Sequence, residues 1–143
     1  MNITRREVCA LLPALCAALS VSSSDENDAL KSAAYTFASL PISKDAQAAY
    51  RDILEGRTRT GDYLEAHETV LEAGAMPHPA HHHAGEELFL ISSGKLEATI
   101  AGKKTILGPG SAFFVASNEE HALRNVGATP AQYFVVTLGQ KDP

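Results

Sequence analysis

Cysteine is scarce in this sequence: its 143 residues contain two, Cys9 and Cys16, both close to the amino terminus. They lie in residues 1–22, which read as an export signal peptide, with Arg5 and Arg6 as a positive start and Val8 to Leu19 as an apolar stretch of signal length. Cleavage near Ala18 to Ser22 would remove both thiols, and with them disulfides, a cysteine nucleophile and cysteine-ligated zinc. Basic residues are also outnumbered, 12 Lys and Arg against 17 Asp and Glu, for a net charge of −5. No basic patch remains to hold phosphates, so nucleic acid is excluded as an expected partner. The apolar start is too short for an ordinary transmembrane helix, so the mature form is expected to have no stable membrane span. Tryptophan is absent, and the chain shows no internal repeat, heptad or low-complexity tract.

What is present is the composition of a globular protein, 45% hydrophobic and 20% charged, with room for one ordinary core. Export places it in the periplasm or outside the cell. Thr4-Arg5-Arg6 is similar to the start of a twin-arginine signal, although Val8-Cys9 stands where that pattern continues with Phe-Leu. Residues 23–60 form an amino-terminal extension that begins as a polar, serine-rich tether. Within it, Tyr35 to Ile42 reads as a short edge strand because of Pro41, and Ser43 to Thr58 as a short helix closed by Gly56. From Gly61 to the end the chain changes to short runs rich in β-branched and aromatic residues, separated by glycine and proline. That punctuation predicts an all-β domain over residues 61–143, an antiparallel sandwich or barrel.

Chemistry concentrates in "HPAHHHAGEELFLISSG", residues 78–94, which holds four of the six histidines. Side chains two apart on an extended chain share a face, so His81 and His83 point together while His82 points away. Glu87 returns to that face after the bend at Ala84-Gly85, and Phe89 and Ile91 continue it. A pair of imidazoles with a nearby carboxylate suits a divalent transition metal: Fe, Mn, Ni, Cu or Zn. A further ligand must come from elsewhere, and the only later histidine is His121. Glu86 competes with Glu87 for the ligand role, and is expected to face solvent. Phe89, Ile91 and Leu123 are candidates for the lining of a substrate pocket or, equally, for plain core filling. His78 reads as an exposed loop residue, and His82 as facing away from the site or packing at a subunit contact. His67 is a candidate acid or base if its face is internal, but Leu64, Ala66 and Val70 form an apolar alternative, and that alternative, which puts His67 outside, is preferred.

These residues resemble the two motifs of the cupin superfamily. Gly74, six residues, His81, His83, three residues, Glu87, six residues and Gly94 follow the first, with one residue more than usual after the opening glycine. Gly110, Ala116, Asn118, His121 and Asn125 fall on the second, with Ala116 in place of its proline and Asn118 in place of its second glycine. Fifteen residues separate Gly94 from Gly110. The resemblance covers Leu64 to Leu138. It implies a jelly-roll barrel (a double-stranded β-helix), a metal held inside by His81, His83, Glu87 and His121, and a homodimer. The function it implies is a metal-dependent enzyme, an oxygenase of dioxygenase type or an isomerase or lyase, acting on a small oxygen-containing organic molecule. A non-catalytic periplasmic barrel that binds a small-molecule ligand is the alternative.

Overall fold

The computed structural model describes residues 28–140; the expected export signal lies outside the described residues. A short 3-10 turn, Phe37–Ser39, leads into β1 (Ile42–Lys44) and β2 (Ala48–Arg57). The strands β3 (Tyr63–Leu71), β4 (Glu86–Ser93), β5 (Leu96–Ile100), β6 (Lys103–Leu107), β7 (Ala112–Val115), β8 (His121–Asn125) and β9 (Ala131–Gly139) follow. They form a six-stranded sheet, β1-β2-β3-β9-β4-β7, and a three-stranded sheet, β6-β5-β8, with every pairing antiparallel. This is the expected all-β architecture, and its non-sequential strand order is what lets β8 face β4 and β9 across the interior.

Two expectations for the extension are corrected. The segment Ser43 to Thr58 is not a helix: Asp45 Oδ1 accepts hydrogen bonds from the backbone N–H of Gln47 and Ala48, at 2.6 and 2.8 Å, turning the chain into β2. That strand then pairs with all of β3, from Ala48 opposite Leu71 to Arg57 opposite Tyr63. A ladder of this length overrides the weak helical preference of Ala-Gln-Ala-Ala. Nor is Tyr35 to Ile42 a strand, since Phe37–Ser39 curls into the 3-10 turn and only Ile42, just past Pro41, joins β1. Proline has no N–H to give a ladder, so extended pairing starts after it.

Between the sheets, Phe89, Ile91, Leu96, Ala98, Val115, Leu123, Tyr133 and Val135 pack into one core. On the larger sheet the inward positions run in rows across strands: Glu65, Thr137 and Glu87, then His67, Val135 and Phe89, then Thr69, Tyr133 and Ile91. The β4–β5 turn is made at Gly94, whose φ of +85° suits glycine and whose missing Cβ leaves room for Ala131. Outward positions hold a different chemistry. There Glu68, fully buried, is bonded to Arg51 and Gln132, and the Arg51 guanidinium lies 4.2 Å from the Phe37 ring centroid. No helix among the described residues is long and apolar enough to cross a membrane.

Candidate metal centre

Backbone pairing brings the two histidine-bearing segments together. His81 and His121 form an isolated antiparallel bridge, exchanging N–H···O bonds of 3.1 and 2.9 Å. Residues opposite one another across such a bridge project to the same side, and their rings stand 4.5 Å apart. His83 shares that side, two residues on. Its carbonyl accepts the N–H of Asn118 at 2.7 Å, and Asn118 adopts φ +61°. Asparagine is among the few non-glycine residues that tolerate this left-handed backbone, so the substitution of the motif's glycine preserves the loop. Asn125 is buried and bonds backbone, donating to the carbonyls of Leu71 and Thr129 and accepting from Gly127 N–H.

One ligand atom from each of His81, His83 and His121 can be chosen so that all lie within 4.8 Å of one another, and these residues could hold a metal ion. Backbone carbonyls orient two of the rings. His83 Nδ1 is 2.9 Å from Gly85 O and His121 Nδ1 is 3.0 Å from Glu119 O. With Nδ1 committed as a donor, Nε2 is left bare as an electron-pair donor toward the interior, the arrangement metal-binding imidazoles use. Glu87 Oε2 comes within 3.3 Å of His83 Nε2 and 3.1 Å of His121 Nε2. Even so, the buried nitrogens His121 Nε2 and His81 Nδ1 have no hydrogen bond of good geometry among the described residues. Leaving a buried polar atom unpaired costs about 1–3 kcal/mol. Two such atoms in one cluster of imidazoles, beside a carboxylate, fit a cation at their centre.

The electrostatics differ from residue to residue. Burial alone would push the Glu87 carboxyl up, but the facing imidazoles of His121, His83 and His81 outweigh it and hold the group below its usual range. Burial lowers His121, and Glu87 with the Glu119 carbonyl more than reverse that, raising it. His81 is lowered, first by burial and then by His78, His121 and His83 around it. A neutral imidazole and an ionised carboxylate are the forms that ligate metals, so His81 and Glu87 are set for an ion, whereas His121 has to give up a proton that Glu87 holds in its place.

Glu86 is exposed on the opposite face of β4, as alternation requires, leaving Glu87 as the inward carboxylate. Around Glu87 lie two compartments, and Glu87 bounds both. The larger, about 240 Å³, is bounded by Tyr63, Glu65, His83, Glu87 and Thr137, and the smaller, about 50 Å³, by Tyr50, His67, Phe89, His121, Leu123 and Val135. Phe89 and Leu123 are among the residues that bound the smaller compartment. Ile91 is packed into the core one row further along and is not among the bounding residues. His78 is exposed and meets His81 edge to face at 4.1 Å, while His82 is exposed.

His67 corrects the preferred reading of β3. It faces inward, half-buried, with Nδ1 2.8 Å from Glu65 Oε1, and it bounds the smaller compartment. The face of Leu64, Ala66 and Val70 is the outer one, because Glu68 between them is drawn into its ion pair with Arg51. Tyr50, Tyr63 and Glu65 also border the cavity and were not anticipated. The signal for this face was the fully buried Leu71, which shares the parity of Glu65, His67 and Thr69. Tyr63 is pushed up to about 12, first by burial and then by Glu55 and Glu65, and stays a neutral hydroxyl at the cavity edge.

Residues 67–137 match the Cupin domain family. No curated protein matches the chain. Among solved structures, KdgF from a Halomonas species is similar, with a TM-score of 0.67 at 17% identity over 78% of this chain and 97% of that one. An RmlC-like cupin from Shewanella frigidimarina gives 0.63 at 16% identity, over 75% and 90% of the two chains. A predicted oxalate decarboxylase from Thermotoga maritima gives 0.61 at 16% identity, over 72% and 96%. At these identities the likeness is one of fold.

Proposed function

The chain belongs to the cupin superfamily, and from that premise we propose that it is a metal-dependent enzyme acting on a small oxygen-containing organic molecule, as an oxygenase or as an isomerase or lyase. The observation that carries this reading is the pair of unsatisfied buried nitrogens, His121 Nε2 and His81 Nδ1, in an imidazole cluster that opens onto a cavity. In this reading His81, His83, His121 and Glu87 hold a divalent ion, which when bound supplies Lewis acidity or, if redox-active, electron transfer. Iron, manganese, nickel and copper suit this nitrogen and carboxylate set as well as zinc does.

The remaining wall residues have separate tasks. Phe89, stacked on Phe113 at 4.1 Å, and Leu123 shield one side from water, while Val135 and Thr137 form a floor of small side chains. The Tyr133 hydroxyl, raised chiefly by its burial, remains protonated as a donor on the wall of the smaller compartment. The fold likeness to a predicted oxalate decarboxylase supports an enzyme. The reading includes export, supported by Arg5, Arg6 and the apolar run after them. It also includes a homodimer, supported by Leu88, Leu90 and Phe114 exposed together on the outer face of the large sheet.

Elemental analysis of the purified protein beside His81→Ala and His121→Ala tests it. Near-stoichiometric iron, manganese, nickel, copper or zinc in the wild type, lost in both variants, is expected. No metal, or equal metal in all three proteins, would sink the metalloenzyme and leave a barrel that binds small molecules without turnover.

A further inference from the structure

On the large sheet, Glu87 of the ligand cluster and the Glu65–His67 pair stand on opposite sides of strand β9. Glu65, Thr137 and Glu87 form one cross-strand row, and His67, Val135 and Phe89 the next. Two strand spacings, each about 4.8 Å, separate the β3 positions from those of β4. Val135 and Thr137 of β9 lie across that gap, and Glu87 bounds the compartments of both His67 and Glu65, so a molecule held there can touch both walls. The Glu65 carboxylate holds His67 Nδ1 at 2.8 Å, and His67 bounds the compartment that contains Glu87 and His121. A carboxylate that accepts the Nδ1 proton of an imidazole leaves Nε2 with its lone pair, ready to take a proton.

We propose that His67, positioned by Glu65, is the catalytic acid–base of this site, and that its substrate is a small neutral hydroxy-carbonyl compound bound across β9. The proposal rests on the metal-centre reading and deepens it. Neither compartment is bounded by a lysine or arginine, whereas Glu65 and Glu87 both are on the wall. A polyanionic substrate would therefore meet carboxylates with no protein cation to pair it, which selects a neutral molecule whose oxygens turn toward the ligand cluster.

In the step, the C–H bond beside the substrate carbonyl breaks and its proton passes to His67 Nε2. The C–H electron pair forms the carbon–carbon double bond of the enolate, and the carbonyl π pair moves onto oxygen. Glu65 keeps the Nδ1–H bond as the ring becomes cationic. The proton of the neighbouring hydroxyl then passes to the enolate oxygen, the C–O bond it leaves becomes the new carbonyl, and the carbon–carbon π pair takes the proton back from His67 at the former carbonyl carbon, completing an isomerisation with no oxidant or reductant consumed.

The test uses the full metal-loaded protein in D₂O with dihydroxyacetone as the probe, and NMR to follow loss of its C–H signals. Exchange should exceed that of the same ion in buffer, and His67→Gln should slow it by about 100-fold or more, within the usual range for a lost general base. Metal content should be unchanged in His67→Gln and Glu65→Gln. Imidazole ¹⁵N NMR of the metal-free protein gives a second readout, independent of turnover: His67 should carry its proton on Nδ1 in the wild type and become a tautomer mixture in Glu65→Gln. Wild-type exchange at the buffer rate, or a His67→Gln rate equal to the wild type, would overturn the proposal while leaving the metal centre intact. A tautomer indifferent to Glu65→Gln would overturn the pair. Loss of metal from the wild type itself would instead overturn the underlying metalloenzyme.

Discussion

Glu68 and Glu87 are both acidic residues withdrawn from solvent by the same six-stranded sheet, and their surroundings could hardly differ more. Glu68, on the outer face and fully buried, has a donor on each oxygen: Arg51 Nη1 at 2.8 Å and Gln132 Nε2 at 2.7 Å. Its arginine is covered in turn by Phe37. Glu87, on the inner face, meets imidazole nitrogens at 3.1 and 3.3 Å, and the nearer of them still lacks a well-formed hydrogen bond. A saturated buried carboxylate is a finished structural feature, whereas one surrounded by converging electron-pair donors is waiting for a cation. The contrast separates scaffold from site without reference to sequence motifs.

The largest effect should come from breaking the saturated member. Glu68→Ala strands Arg51 in a largely buried position, and loss of about 3–5 kcal/mol is expected from removing one partner of such a pair. Denaturant unfolding should report this, with metal content of the folded fraction unchanged. Replacing both partners by apolar residues, Arg51→Met with Glu68→Leu, should restore most of the stability. A double variant as unstable as the single one would show that the pair does more than satisfy itself.

The unsaturated member should respond in the opposite way. His121→Ala is expected to weaken metal affinity by about 100-fold or more, at least the loss seen when only an outer partner of a ligand is removed. Titration of the metal-free protein would measure it. Added metal at about 100 times its dissociation constant should stabilise the wild type by about 2.7 kcal/mol and leave His121→Ala nearly unmoved. Equal stabilisation of both would erase the distinction drawn between the two carboxylates.

A third acid, Asp45, sharpens the comparison at its weak end. Fully exposed, it is held below its ordinary value of 3.8 by the N–H groups of Gln47 and then Ala48. A depressed carboxyl contributes stability above its unfolded value and loses it as pH falls through the lower folded one. Asp45→Asn should therefore be slightly less stable than the wild type near neutrality. That small difference should shrink below about pH 4 in thermal unfolding. A gap that stays constant with pH would assign the effect to geometry alone.

Much of the centre was legible in advance because motif spacing is a local property. His81, His83 and Glu87 are placed by alternation around one bend, and Gly110 to Asn125 places His121 by the same rule. Even Asn118, which departs from the motif, keeps the left-handed backbone that its position requires. The strand between Ala48 and Arg57 was not legible, since its partner β3 lies beyond a turn and only the completed ladder outweighs local preference. Ile91 shows the limit of face arguments: it shares parity with Glu87 and Phe89, yet one row of depth moves it from cavity wall to core.

Residues alone were sufficient for the all-β class and for the four converging side chains, because turn chemistry, period-two alternation and motif spacing are written along the chain. They also determined that Glu65, His67, Thr69 and Leu71 share a face. Which face is inside was decided only in three dimensions, where Arg51 arrives from one neighbouring strand to neutralise Glu68 and Gln132 from the other to donate a hydrogen bond to it. With that side closed, His67 turns toward the cavity on the other. Alternation is a symmetry of the strand, and only the groups packed against its two sides can break it.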